Sequence, residues 1–241
     1  MIRRLPGARM PGHLVHCALA LTLAATLSIL ISEAAFAHAV TLGDKGYIQE
    51  VSGIHIIPFL YLGAKHMVTG YDHILFLLGV IFLYGMKQIG IYVSLFAVGH
   101  STTMLVGVLF DFGINSYIID AIIGFSVVYK ALDNLGAYQK WFGFQPNTKI
   151  ATLVFGLLHG FGLASKIIDY NISPDGLLPN LIAFNVGVEI GQLLALAAIL
   201  VVMTRWRATA SFSRQAYAAN LLMMTAGFAL MGFQIVGYFA A

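Results

Sequence analysis

The chain has 241 residues, 59% of them hydrophobic and 10% charged, with a mean hydropathy of +0.86. So few charges cannot wrap so much apolar area in a water-soluble surface; the composition instead points to an all-α, polytopic membrane helix bundle. The formal net charge of +3 singles out no partner. No nucleic acid is expected, and no segment resembles a nucleotide-binding loop, so an ATP-hydrolysing engine is not encoded here.

Residues 1–37 read as a signal peptide. Arg3, Arg4 and Arg9 precede an apolar core from Cys17 to Ile31, and Ala35-Phe36-Ala37 then offers a small-x-small cleavage site before His38. The alternative is a retained first helix. The single cysteine, Cys17, lies in this leader, so the mature chain would have no thiol ligand and no disulfide. Residues 38–70 are read as an outward-facing N-terminal segment. Cleavage would make His38 the first residue, where its α-amine and ring nitrogen can chelate one ion together. Asp44, Glu50 and His55 follow it, and all of these also read as solvated surface groups.

Residues 71–241 are expected to form the transmembrane bundle. Apolar runs fall at Tyr71–Tyr84, Ile91–Phe110, Tyr117–Ala137, Ile150–Ile168, Leu178–Met203 and Ala216–Phe239, which predicts about six spans of roughly 20 residues. The first is short. Val51–Val68, a half-apolar stretch containing Pro58, either extends it, adds a seventh span or lies in the interface. The loops after spans one, three and five carry Lys87, then Lys140 and Lys149, then Arg205, Arg207 and Arg214. The loops after spans two and four carry Asp111, then Asp169 and Asp175. The positive-inside rule makes the first set cytoplasmic. Both mature termini then lie outside a bacterial inner membrane.

Asp72, His73, His100, Asp120, Lys130, Asp133, His159, Lys166 and Glu189 all fall within these runs. An ionisable group at mid-bilayer costs about 2.5–3.5 kcal/mol, so the set would cost more than about 15 kcal/mol if left unsatisfied. These groups must therefore satisfy one another, or a ligand, inside the bundle. A single buried histidine is more often a hydrogen-bonded core residue than a ligand. Five helices contributing His, Asp or Glu are harder to explain that way. Asp72, His73 and Asp120 are expected towards the outer ends of their spans, and His100, His159 and Glu189 near the middle. Asn185 and Gln192 lie one turn to either side of Glu189 on a similar face. Lys130 and Asp133, three residues apart, read as a pair, structural or part of an inner gate. Gly156-x-x-x-Gly160 and Gly187-x-x-x-Gly191 bracket His159 and Glu189 with spacing that lets helices approach closely. Imidazoles and carboxylates without thiols suit divalent first-row metals: nickel, cobalt, copper or zinc.

His66-x5-Asp72-His73, continuing as Ile-Leu-Phe-Leu-Leu, resembles the HX5DH signature of the HupE/UreJ family. Further similar blocks are Gly99-His100-Ser101-Thr102-Thr103, Ile123–Tyr129, Phe155–Gly162 and Ala183–Gln192. The likeness runs from His66 to Gln192 and is closest to the family's second subgroup. It implies a small membrane permease for nickel or cobalt, of the kind associated with hydrogenase and urease clusters, with His66, Asp72 and His73 as metal ligands. One departure concerns the second, His-rich motif of the FHGxAHGxE type, where this chain offers only His159.

A divalent transition metal, nickel or cobalt before copper or zinc, is thus expected to pass from His66, Asp72 and His73 to His100, Asp120, His159 and Glu189. The chain itself is expected not to be an enzyme. Three other readings stay open. One is a membrane metalloenzyme with Glu189 or Asp72 as general base, and another is a haem protein with His100 and His159 as axial ligands. The third is an accessory subunit that hands metal to a partner metalloenzyme. Besides the metal ion and the lipid bilayer, a partner enzyme or a second copy of the chain is left open.

Overall fold

The computed structural model describes residues 42–83, 86–169 and 172–240. The proposed signal peptide and His38 lie outside the described residues. Among those described, the secondary structure is helical throughout: α1 (Leu42–Glu50), α2 (Ile56–Thr69), α3 (Tyr71–Leu83), α4 (Met86–Leu109), α5 (Ser116–Asn134), α6 (Ala137–Phe142), α7 (Thr148–Ile168), α8 (Leu177–Arg207) and α9 (Phe212–Ala240). Each apolar run among the described residues therefore folds as a helix. Four stretches of the described residues are long and apolar enough to cross a membrane: Ile89–Leu109, Thr148–Ile168, Leu177–Arg207 and Phe212–Ala240. The breaks fall where local chemistry puts them. Asn115 and Asn147 cap α5 and α7, each side-chain oxygen accepting from backbone N–H groups of the first turn. Left-handed Gly136 and Gly143 bracket α6.

Three close helix pairs build the bundle: α2 with α8, α4 with α7, and α5 with α9. Glycine permits each approach. A Cβ on Gly63 or Gly187 would collide with the carbonyl of Phe184 or Leu60 across the α2–α8 seam. On Gly156 or Gly160 it would strike the carbonyl of Phe96 or His100 across α4–α7. Gly124 and Gly227 face each other in the same way across α5–α9. Without a hydrophobic drive between helices in lipid, this backbone-to-backbone contact is what association rests on. The cross-seam neighbours set direction: α2 runs parallel to α8 and α4 to α7, whereas α5 and α9 are antiparallel.

The stretch before Tyr71 is resolved by this packing. It is α2, lying lengthwise on α8, and Gly70 breaks the chain between α2 and α3 with an extended ψ of 108°. At 14 and 13 residues the two half-helices rise about 20 Å each, less than the roughly 30 Å of a hydrocarbon core. In tandem they can cross it. The second half, α3, packs against α5, α8, α9, α2 and α4. Its inner end is tied down by polar contacts: Asn134 Nδ2 donates to the Gly79 carbonyl (2.9 Å), and Arg207 donates to that of Ile81. Asn134 also donates to Asn220 Oδ1 (2.8 Å), joining α5 to α9.

The loops divide by charge. Asp111, Asp169 and Asp175 follow or precede helices at one end of the bundle, while Lys140, Lys149, Arg205, Arg207 and Arg214 mark the other. At the acidic end Asn180 locks α8 to the segment before α2, accepting from the His55 N–H (2.7 Å) and donating to the Gly53 carbonyl (2.8 Å).

Replacing Gly187 with Ala pushes a methyl group into the Leu60 carbonyl. The expected cost is at least the about 1–3 kcal/mol typical of overpacking, read as a lower thermal midpoint in detergent, whereas Gly90→Ala, which faces open space, leaves the midpoint in place.

Candidate metal centre

The break at Gly70 creates the site. His66 sits in the last turn of α2, and Asp72 and His73 in the first turn of α3. A continuous helix would place His66 and His73 about 10 Å apart along its axis; here their rings are 5.2 Å apart, centroid to centroid. Gly70 is part of the fit, since a Cβ there would lie 2.5 Å from His73 Nδ1 and 3.1 Å from Asp72 Oδ1. The seam glycines of α4 and α7 bring in the other two histidines. His73 lies 6.1 Å from the His100 ring and 5.1 Å from the His159 ring.

Two groups of ligand atoms result, each with all its members within 4.8 Å of one another. One is His66, His73 and His100; the other is Asp72, His73 and His159. His73 belongs to both. Ligands bound at about 2.0–2.1 Å to a shared ion stand roughly 3–4 Å apart, so closing on an ion needs a contraction of about an ångström. Asp72, His73, His100 and His159 are buried and His66 is half-buried.

Hydrogen bonds orient these ligands. His73 Nδ1 lies 3.1 Å from Asp72 Oδ1, and His159 Nδ1 2.6 Å from the Phe155 carbonyl. An ionised carboxylate and a carbonyl can only accept, so Nδ1 is the donor in each contact, and Nε2 of a neutral ring is the atom that would bind a metal. Asp72 uses its other oxygen towards His159, with Oδ2 4.0 Å from Nε2. It thereby links two imidazoles from different helices. Thr103 Oγ1 steadies the seam beside His100 by donating to the Leu157 carbonyl (2.7 Å).

Towards the basic end the site is closed by phenylalanines. Phe96 stacks on His100 at 6.0 Å and stands 5.0 Å from His159, and Phe76 packs 5.6 Å from both Phe96 and Phe155. A small cavity follows, lined in part by Phe76, Phe96, Val80, Tyr92, Val93 and Thr152. Beyond it Lys130 and Asp133 pair in full burial, and Asp133 also accepts from Gln145 and, at 3.4 Å, from Thr148. Nearby, burial and then the Asp133 carboxylate push the Tyr138 phenol up to about 12.

A family model described as HupE / UreJ protein matches residues 42–241. The chain belongs to the HupE/UreJ family. No curated protein and no solved structure matches it. HupE/UreJ proteins are membrane transporters or accessory proteins linked to nickel and cobalt, not known enzymes, and the histidine–aspartate groups are of the donor type such metals take.

Of the residues expected to handle metal, the structure brings together His66, Asp72, His73, His100 and His159. Asp72 and His73 share a level with His100 and His159, since α2, packed along α8, lies between them and the acidic end. Asp120 is outside both groups and pairs with Lys166 (2.6 Å). Glu189 is exposed on α8 and also outside both. Asn185 and Gln192, seven residues apart, point inwards together, while Glu189 is turned about 40° past Asn185, onto the outer flank. Sequence reading missed Gly70 and the phenylalanine floor. The only signal was Gly70 itself, three residues before His73, in a run that otherwise favours helix.

His73→Ala removes a donor from both groups, His100→Ala from one. Nickel affinity of the purified protein is expected to fall further for His73→Ala, by at least the 10–100-fold of a lost orienting partner. Gly70→Ala should also weaken nickel binding while leaving the helical circular dichroism unchanged.

Proposed function

We propose that this chain is a permease for a divalent transition metal, nickel or cobalt first, with the ion held midway by His66, Asp72, His73, His100 and His159. The observation that carries the reading is His73, shared by two three-donor groups drawn from four helices. An ion bound to one group can pass to the other while keeping His73 as a ligand, which suits transit better than permanent residence. The family membership and the apolar helices support the same reading. In this proposal α2 and α3 together make one span, and α4, α5, α7, α8 and α9 the other five. The acidic end faces outwards by the positive-inside rule, in a bacterial inner membrane. A signal peptide of residues 1–37, and His38 as a first chelating residue, are part of the proposal. Asp120 and Glu189 are not placed at the central site.

The ion meets oxygen and nitrogen donors only, so the chemistry is borderline and not thiophilic. Release inwards requires the Phe76–Phe96–Phe155 floor to part, since these rings close the site towards the basic end. The supply to a partner metalloenzyme would follow release.

Cells expressing His73→Ala or Asp72→Ala are expected to accumulate no nickel above background, at unchanged protein levels; wild-type accumulation in both variants would sink the permease reading. Purified wild-type protein in vesicles should suffice for uptake. Retained nickel binding without vesicle uptake would point instead to an accessory protein. Uptake should fall at low pH, because protons compete with the metal for imidazole and carboxylate donors.

A further inference from the structure

Asp120 and Lys166 form an ion pair between α5 and α7 at the acidic end, with Nζ 2.6 Å from Oδ2 and side chains 6% and 15% exposed. A buried pair of this kind contributes little stability, because desolving two charges offsets most of their attraction and an apolar pair can do as well. The arrangement is also incomplete. Asp120 Oδ1 is buried and has no hydrogen-bond partner among the described residues. A carboxylate placed only to hold a lysine would have both oxygens engaged.

The face of α7 shows where that oxygen leads. Thr148, Thr152, Phe155, His159, Gly162 and Lys166 recur at alternating intervals of four and three, which puts them in one stripe along the helix. Asp133 meets this stripe at Thr148, Asp72 meets it at His159, and Asp120 meets it at Lys166. Between Lys166 and His159 stands Gly162. A Cβ on Gly162 would lie 3.0 Å from Ile119 Cγ2, 3.2 Å from Ile123 Cδ1 and 3.5 Å from Asp120 Oδ1. Asp120 Oδ1 thus lies beside Gly162, under the side chains of Ile119 and Ile123, and His159 is three residues, about 4.5 Å of helix rise, from that glycine.

We propose that Asp120 is an outer cation-binding station, in which the Lys166 ammonium occupies the carboxylate until a divalent ion displaces it and moves past Gly162 to His159. This rests on the permease reading above and adds a second site to it. No bond is made or broken: the ion exchanges with an ammonium group that swings towards the acidic surface, where Lys166 already has its partial exposure. The station would select for charge, and the histidines for metal type.

Nickel binding and nickel uptake separate this from its alternatives. In equilibrium dialysis, at Ni2+ concentrations where Lys166 still holds Asp120 in the wild type, Lys166→Met is expected to bind one more equivalent of Ni2+, since Asp120 is then vacant. The neutral double variant Asp120→Asn/Lys166→Met loses that equivalent, keeps the one at the histidine cluster, and takes up Ni2+ at least about tenfold more slowly into vesicles. Asp120→Glu should recover uptake. A double variant that transports at the wild-type rate, or a Lys166→Met protein with no extra equivalent, overturns the station and leaves the histidine site standing. Wild-type protein that binds no Ni2+ overturns both.

Discussion

Ionisable groups shut inside an apolar bundle are the constraint on which this structure turns. Water is not there to solvate them, so each must be oriented by another group or by an ion. Asp72 shows the consequence most clearly. One carboxylate oxygen holds His73 at 3.1 Å and the other stands 4.0 Å from His159, so a single side chain on α3 faces imidazoles on two helices. The same need produces the Asp120–Lys166 and Lys130–Asp133 pairs further along α5. Three layers of charge along the bundle are separated by apolar ones, among them the phenylalanine floor under His73.

Backbone proximity makes the central layer reachable. An imidazole extends only a few ångströms from its Cα, so histidines on α4 and α7 can share an ion with His73 only if those helices nearly touch. Gly156 and Gly160 provide that contact opposite Phe96 and His100. On the other side Gly63 and Gly187 press α2 onto α8, and the break at Gly70 then turns His66 back over His73. A full-length first helix would keep those two residues two turns apart. The half-helix is therefore the feature that converts a spaced motif into a coordination site.

The arrangement bears on transport more than on catalysis or permanent binding. Two donor groups hinged on one histidine offer an ion adjacent positions of similar kind, and in the proposed permease the aromatic layer beneath would be the barrier to the basic end. The charged pairs near each end are contributed largely by α5, which faces α7 and α3. An ion moving along this side of the molecule meets oxygen, then nitrogen and oxygen, then an apolar barrier, then oxygen again.

Much of this was legible in the amino-acid sequence. Apolar runs of bilayer length specify helices because the backbone in lipid has no other way to satisfy its polar groups. The charge of the loops marks the two ends, and the likeness of His66-x5-Asp72-His73 to the HupE/UreJ signature implies a ligand set. What periodicity could not supply was rotation and depth. Glu189 and Asn185 differ by about 40° around α8, too little for sequence spacing to separate, yet packing of the bundle buries one and leaves the other exposed. Asp72 and His73 looked peripheral because they open their apolar run; only the docking of α2 on α8 shows that a further helix precedes them inside the bundle. Asp120 carries the same lesson, since its lysine partner lies 46 residues away. Helix identity is local and follows from composition, whereas the company each side chain keeps is decided when the helices meet.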